Sequence, residues 1–403
     1  MKLLDVATYV TEKIKSSCVP LENYITTDCL LSNKEGRSIA HNLPPKECNL
    51  TRFVKGDVLV SNIRPYLQKI WLADSDGGCS SDVIVFRAKD MKNSYYLFAI
   101  LYQDCFYDYV MQSTKGSRMP RGDKAHIMQF DIKKLNSSSI SIIVSIISIL
   151  DKKIETNKRI IQNLERLSKQ IYDYWFVQFD FPNKDGKPYK SSGGAMVYSE
   201  QLQKMIPKNW QVMSLKENDM FSLISTGIEY FEGNKEYLAT ADVQGNNIGK
   251  GNIITFENRE SRANMQPKEN SVWFAKMKNS IKHITIPKDS NWFIDKYILS
   301  TGFCGLKCKK ETLAYVHCFI NFSSFEQIKD SISHGATQQA VNETDLNHIN
   351  ILSPDDVILQ NFDSIISPFI VKQMKLKEEN IQLKSLKDYL LPKLLNGQVK
   401  VNI

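Results

Sequence analysis

The feature that most constrains this chain is that it is written twice. Tyr24 to Asn33 resembles Tyr237 to Asn246 at an offset of 213, and Val58 through Ile70 aligns with Val272 through Ile284 at 214. Ser80 to Ala88 pairs with Ser300 to Cys308 at 220, and Gly116-Ser117 pairs with Gly335-Ala336 at 219. The last offset then continues without a gap. Ile143, Ile147, Leu150, Leu164, Leu167 and Ile171 fall on Phe362, Ile366, Phe369, Leu383, Leu386 and Leu390. Four blocks in the same order, with offsets that drift by a few residues, mean one ancestral unit used twice with short loop insertions. At 403 residues the chain is also too long for a single core.

Each unit changes period part-way along. Its first part holds β-rich runs such as Asp57-Val58-Leu59-Val60-Ser61 and Asp82-Val83-Ile84-Val85-Phe86, separated by Gly, Asn and Pro turns. Its second part reads as one long helix. From Ile140 to Phe176 there is neither Pro nor Gly, and apolar residues recur at steps of three and four. Such a helix would span roughly 55 Å at about 1.5 Å per residue. The pattern recurs from Val357 to Leu395, where Pro368 is expected to start or kink the helix, Pro392 to mark its frayed end and Gly397 to stop it. Two matching apolar stripes of nearly equal length are most economically buried against each other. The predicted fold is α+β: two repeated β-rich α/β domains separated by two long antiparallel helices in a coiled coil, related by a pseudo-twofold axis. The expected partition is a first domain over 1–139, a central helix over 140–182, a second domain over 183–356 and a C-terminal helix over 357–403.

Charge and motif content narrow the function. The net charge is +8, and residues 183–356 contribute none of it, so nucleic-acid binding is permitted rather than required. The apolar run Ile140 to Leu150 is interrupted by three serines and is too short for a bilayer, and Asp5 breaks any signal-peptide stretch. A cytoplasmic protein without membrane partners is expected. Cys304 and Cys308, with His317 and Cys318 downstream, loosely echo a zinc site, but no second pair completes it, and small buried hydrophobes are the expectation. There is no phosphate-cradling G-x-x-x-x-G-K-[ST] and no H-E-x-x-H. The only Pro-Pro, Pro44-Pro45, lacks the flanks of a base-holding [DN]-P-P-[YF] loop, and Pro354-Asp355 has no acidic-x-Lys follower. No catalytic residue or metal site is expected in this chain.

Two helix endings carry a family resemblance. Leu164-Glu165-Arg166-Leu167 through Tyr174-Trp175-Phe176-Val177-Gln178-Phe179 resembles the central conserved region of the specificity (S) subunits of type I restriction–modification enzymes, where a long helix ends in W-F-V-x-F. Leu390-Leu391-Pro392-Lys393-Leu394-Leu395-Asn396-Gly397 is similar to that family's L-L-P-K-L-L-x-G ending, and Ser261-Arg262-Ala263-Asn264 with Ser271-Val272-Trp273-Phe274-Ala275 to its recognition-domain pattern. The resemblance spans essentially the whole chain. It implies two target recognition domains that read a bipartite, asymmetric sequence in double-stranded DNA. It also implies docking of two methyltransferase (M) subunits and the restriction (R) subunits, with S-adenosylmethionine, ATP and Mg on those partners and no cofactor in this chain. A specificity subunit of a related type IIB/IIG-like modification system is the alternative. A complete single-chain modification enzyme is opposed by the missing motifs. A coiled-coil spacer with carbohydrate- or peptide-binding heads is a third reading.

The recognition domains are the variable part of that family, so the DNA-contacting candidates come from this chain's own residues. Lys115, Arg118, Arg121 and Lys124 crowd cations around a Gly-containing loop, suited to phosphates or to guanine O6 and N7. At the repeat-related position stand Thr337, Gln338 and Gln339, amides suited to adenine. Asn62, Arg64 and Tyr66, with Lys276 and Lys278 at the equivalent strand end, and Asn33 and Lys34, with Asn246 and Asn247 in the equivalent loop, complete the set. Trp175 and Phe176 are either a plug for the second unit or an M-subunit docking surface.

Overall fold

The computed structural model describes residues 1–116, 118–335 and 339–398. They form two compact units. Unit 1 is Met1–Glu155 with the stretch from Asn380 onward, and unit 2 is Thr156–Glu379.

The central sheet of unit 1 contains β1 (Ala7–Tyr9), β2 (Val58–Ser61), β3 (Ile70–Leu72) and β4 (Val83–Ala88), in the order β1-β4-β2-β3. Unit 2 repeats it with β5 (Phe221–Leu223), β6 (Ser271–Ala275), β7 (His283–Ile286) and β8 (Phe303–Cys308), in the order β5-β8-β6-β7. The register repeats as well. Val58 and Val60 face Phe86 and Ile84, while Val272 and Phe274 face Leu306 and Cys304, which are the pairs the offsets align. The inner strands Val58–Ser61 and Ser271–Ala275 are buried at every position because both faces are covered. In unit 1, Val58, Val60, Ile84 and Phe86 pack toward helices α1 (Ser94–Tyr102) and α2 (Asp104–Met111), and Leu59, Val83 and Val85 toward a second sheet. That second sheet holds a parallel pair, Tyr24–Ile25 beside Gly77–Cys79, matched in unit 2 by Lys235–Leu238 beside Tyr297–Ser300.

Two long helices follow from the two apolar-periodic stretches: α3 (Ser137–Tyr172), continued by one π turn over Asp173–Val177, and α6 (Asp356–Leu395). Between them in sequence lie α4 (Leu313–Asn321) and α5 (Ser323–Ile332), the counterparts of α1 and α2. Asn136 caps α3 by accepting from the Ser139 amide, and Asp355 caps α6 by accepting from the Ile358 amide. Buried positions recur every seven residues, at Ile147, Ile154, Ile161 and Ser168 in α3 and at Ile366, Gln373, Asn380 and Lys387 in α6. A seven-residue spacing is the seam of a coiled coil, and polar residues within a seam favour one register over others. Within unit 1, α3 and α6 run antiparallel, with Lys387 bonded to Asp151 and Lys133 to the carbonyl of Asn396. Within unit 2 they also run antiparallel, with Asn157 bonded to Glu379 and Trp175 against Phe362.

Pro368 does not start α6, and Pro392 lies in its last turn. Neither breaks α6, which begins before Pro368 and runs through Pro392 to Leu395. Burial of Phe362, Ile366 and Ile370 around the first, and of Leu391, Leu394 and Leu395 around the second, outweighs the hydrogen bond each proline removes. The helix ends at Gly397, whose φ of +60° suits glycine, with Gln398 N bonded back to Lys393 O. No helix among the described residues is long and apolar enough to cross a membrane.

Candidate nucleic-acid interface

The offsets that align the strands also align the loops beyond them, bond for bond. In unit 1 the Arg64 amide donates to Pro120 O, the Gly122 amide to Asn62 O, and Lys115 and Arg121 exchange a backbone pair. In unit 2 the Lys278 amide donates to Gln339 O, the Val341 amide to Lys276 O, and His334 and Ala340 exchange the equivalent pair. Each unit therefore brings its strand-end loop (62–68 or 276–282) against described residues that follow the second short helix (115 and 120–122, or 334 and 339–341).

Unit 1 presents most of its candidates in one place. Arg64, Tyr66, Lys115, Arg118, Arg121 and Lys124 are all exposed. Arg64 sits in the left-handed region at φ 50°, unusual for a side chain with a Cβ and the kind of backbone conformation that accumulates at functional surfaces. Arg121 pairs with Asp82 at 3.0 Å and Lys115 with Asp123 at 3.4 Å. Exposed pairs like these contribute under about 1 kcal/mol, so a phosphate could replace either carboxylate at little cost. Asn62 differs from its neighbours: its Oδ1 is buried beside Gly122 and has no hydrogen-bond partner among the described residues.

The Asn33 loop joins this cluster through its backbone, with Asn33 N bonded to Leu67 O and Lys34 N to Gln68 O. Asn33 is exposed. Lys34 is not available to DNA in the same way. Its side chain is 8% exposed, paired with Asp104 at 2.6 Å and lying over the Tyr102 ring. The next residue, Glu35, binds Lys384 of α6 through both carboxylate oxygens. In unit 2 the related loop is tied to the helices by other chemistry. Asn246 Nδ2 donates to Glu165, and half-buried Lys377 donates to Asn246 O at 2.8 Å. Glu165 and Lys384 are equivalent under the 219 offset, so one position clamps the same loop with opposite charge. Asn247 remains exposed.

Lys276 and Lys278 are half-buried at the unit 2 strand end, and Gln339 is exposed beside them. Thr337 and Gln338 lie outside the described residues.

Trp175 and Phe176 lie in the interior of unit 2. They are 6% and 2% exposed, packed with Tyr172 against Trp210, Tyr315 and Phe362 in the core of unit 2. This burial is the geometry of a plug for unit 2. Their counterparts at 219, Leu394 and Leu395 with Leu391, sit in the core of unit 1 beside Leu3, Ile143 and Ile147. Each conserved-looking helix ending thus closes one unit.

Cys304, Cys308 and Cys318 sit at packing positions of unit 2. Cys308 and Cys318 lie in the unit 2 core, and burial pushes the Cys304 thiol up to about 12. No His, Cys, Asp and Glu cluster among the described residues is arranged to hold a metal ion.

Several residues that shape these loops carry no motif: Asp82, Glu35, Glu165, Lys377, Lys384 and the buried group His283, Glu326 and Lys329. The only trace of them in the sequence is a charged residue on the apolar side of a helix period, as at Lys329.

Comparison with known proteins agrees with the architecture. A family model of the type I restriction modification DNA specificity domain matches residues 1–166. The chain is similar to the MjaIX type I restriction enzyme specificity subunit of Methanocaldococcus jannaschii, 25% identical over 365 residues covering 88% of this chain and 80% of the relative. It is also similar to the HindI specificity subunit of Haemophilus influenzae, 21% identical over 451 residues covering 98% of both chains. Among solved structures, the S subunit of a type I system from M. genitalium shares the fold with a TM-score of 0.53 at 14% identity, covering all of this chain and 96% of that one. Repeat, helix endings, architecture and relatives converge: the chain is similar along its length to the specificity subunits of type I restriction–modification systems, and its residues 1–166 match the DNA specificity domain of that family.

Proposed function

We propose that this chain reads a bipartite, asymmetric sequence in double-stranded DNA, one half-site per unit. In this reading the recognition domains span 1–139 and 183–356, joined by the helical segments 140–182 and 357–403. The chain docks two methyltransferase subunits and the restriction subunits of its complex in the cytoplasm, and the chemistry resides on those partners. The observation that carries the reading is the pair of loop clusters with equal backbone hydrogen bonds and unequal side chains. Arg64, Arg118 and Arg121 stand where unit 2 has Lys278, residue 337 and Ala340. A shared frame with different polar groups is what reading two different half-sites requires. Asn33, Asn62, Tyr66, Lys115 and Lys124 in unit 1, and Asn247, Lys276, Thr337, Gln338 and Gln339 in unit 2, complete the proposed contact set. Lys34 and Asn246 serve it by shaping their loops.

The test is methylome sequencing of cells carrying the full-length chain and its methyltransferase partner. Arg118→Ala with Arg121→Ala is expected to relax or weaken one half-site, with a cost of about 1–3 kcal/mol for each lost bidentate base contact. Gln339→Ala should act on the other half alone. Equal damage to both halves would refute the assignment, and methyl transfer by the purified chain alone would refute the non-catalytic role.

A further inference from the structure

Lys329 has no exposed side-chain surface, yet it carries an ammonium. It stands on α5, and its Nζ lies 2.6 Å from Glu326 Oε2, 3.2 Å from Ala275 O and 3.1 Å from Ser280 O. The two carbonyls accept hydrogen bonds from the ammonium and the Glu326 carboxylate pairs with its charge, which is the condition under which a buried cation is tolerated. The two carbonyls bracket the loop that carries Lys276 and Lys278. The neighbouring Asp330 accepts from the Asn279 amide at 3.0 Å, and Asn279 holds the left-handed turn at φ 54°. One helical turn thus grips both ends and the bend of this loop, while Gln339 O grips its middle through Lys278 N.

The grip is itself anchored. His283 Nε2 lies 2.8 Å from Glu326 Oε1, and His283 Nδ1 lies 3.1 Å from Asn321 Oδ1. Burial alone would raise the Glu326 carboxyl, but the hydrogen bonds from His283 and Lys329 and their charges outweigh it and hold the carboxyl below its ordinary range.

Unit 1 separates a structural role from a positioning one. At the equivalent positions it has Tyr107 for Glu326 and Val110 for Lys329, both buried in its core. The scaffold therefore closes without an ammonium at this place, and what the ammonium adds in unit 2 is directed at loop carbonyls. We propose that Lys329, held by Glu326 and His283, is a positioning residue for sequence reading by unit 2, fixing the 276–282 loop in the shape that presents Lys276 and Lys278 to DNA. This rests on the half-site reading proposed above.

The test uses the full-length chain co-expressed with its methyltransferase partner, with the unit 1 half-site identified by the Arg118 and Arg121 variant. Lys329→Met keeps the length and removes the charge. It is expected to leave the unit 1 half-site unchanged and to raise methylation at wrong bases in the other half at least tenfold, with Glu326→Gln shifting it in the same direction. Wild-type base preference in both halves, or equal loss in both, overturns the proposal. If the wild-type complex methylates no bipartite site, the function reading fails instead. Should Lys329→Met not fold, hydrogen exchange of the 276–282 segment in Lys329→Arg decides: at least tenfold faster exchange supports the grip, and unchanged exchange overturns it.

Discussion

Unit 1 and unit 2 place the same backbone hydrogen bonds behind their outward loops, but they fill the space beneath with different chemistry. Under the first lie Phe98, Tyr107 and Val110; at the same three places under the second lie His317, Glu326 and Lys329, all buried. The loop beside each helix pair is clamped by Lys384 on Glu35 in one unit and by Glu165 on Asn246 in the other. Even the second sheets diverge at the margin. The fourth strand, Lys13–Lys15, joins the Asn49–Phe53 edge in unit 1, whereas Asn252–Ile254 joins the Lys235–Leu238 edge in unit 2. What stays constant is the central register and the apolar faces on either side of it. Frame and filling are separable because strand pairing and burial set the backbone, while any side-chain set that meets its own hydrogen bonds can occupy the interior.

The largest expected effect tests whether the two helix endings are equivalent plugs. Leu394→Ala with Leu395→Ala removes two buried side chains from unit 1, at roughly 2–5 kcal/mol each. Hydrogen exchange should show unit 1 opening first while unit 2 keeps its protection, and Trp175→Ala should reverse the order. Loss of protection in both units from either change would break the one-ending, one-unit correspondence.

A smaller effect separates the fillings by pH. Burial first, then the charges of Lys377 and His283, pushes the His317 imidazole down to about 3, so the folded chain holds it neutral. The stability this contributes is complete above the ordinary His pKa of 6.5 and is lost as pH falls from there toward 3, because only the unfolded chain takes up the proton. At pH 4 the loss is roughly 3 kcal/mol. Melting of the full-length chain between pH 7 and pH 4 should show this slope, and His317→Phe, the residue unit 1 carries, should flatten it. Identical slopes in both proteins would show that His317 takes no part in acid sensitivity.

The smallest effect concerns the clamps. Lys384 and Glu35 are each about one-third exposed, and a double-mutant cycle on them should return a coupling of roughly 0.5–1 kcal/mol that weakens with added salt. The Glu165–Asn246 cycle should be less salt-sensitive, since only one partner is charged. Equal salt dependence would mean that the opposite-charge comparison misdescribes what holds these loops.

Much of the molecule is legible in its residues, for a local reason. A short apolar run over Val58–Ser61 or a period of seven from Ile147 to Ser168 is recorded within the segment itself, and the repeat supports each reading with a second copy. The candidate loops were legible to the extent that cations and amides gather near Gly116 and Gly335. Lys34 shows where this stops: beside Asn33 it reads as a phosphate contact, but folding delivers Asp104, some seventy residues later, to its side chain. Lys329 is the converse, a lysine that reads as solvated surface until Ala275 O and Ser280 O are brought to it.

The sequence by itself determined that there are two units, that each ends in a long helix with one apolar stripe, and which residues form the pleated core. Only the tertiary structure decided that Tyr172, Trp175 and Phe176 close unit 2 while Leu391, Leu394 and Leu395 close unit 1, and that α6 passes through both of its prolines. The physical reason is that an apolar stripe states that a face will be buried and not against what. The choice of partner, and the hydrogen bonds that a buried charge then needs, depends on residues hundreds of positions away that meet only in the folded chain.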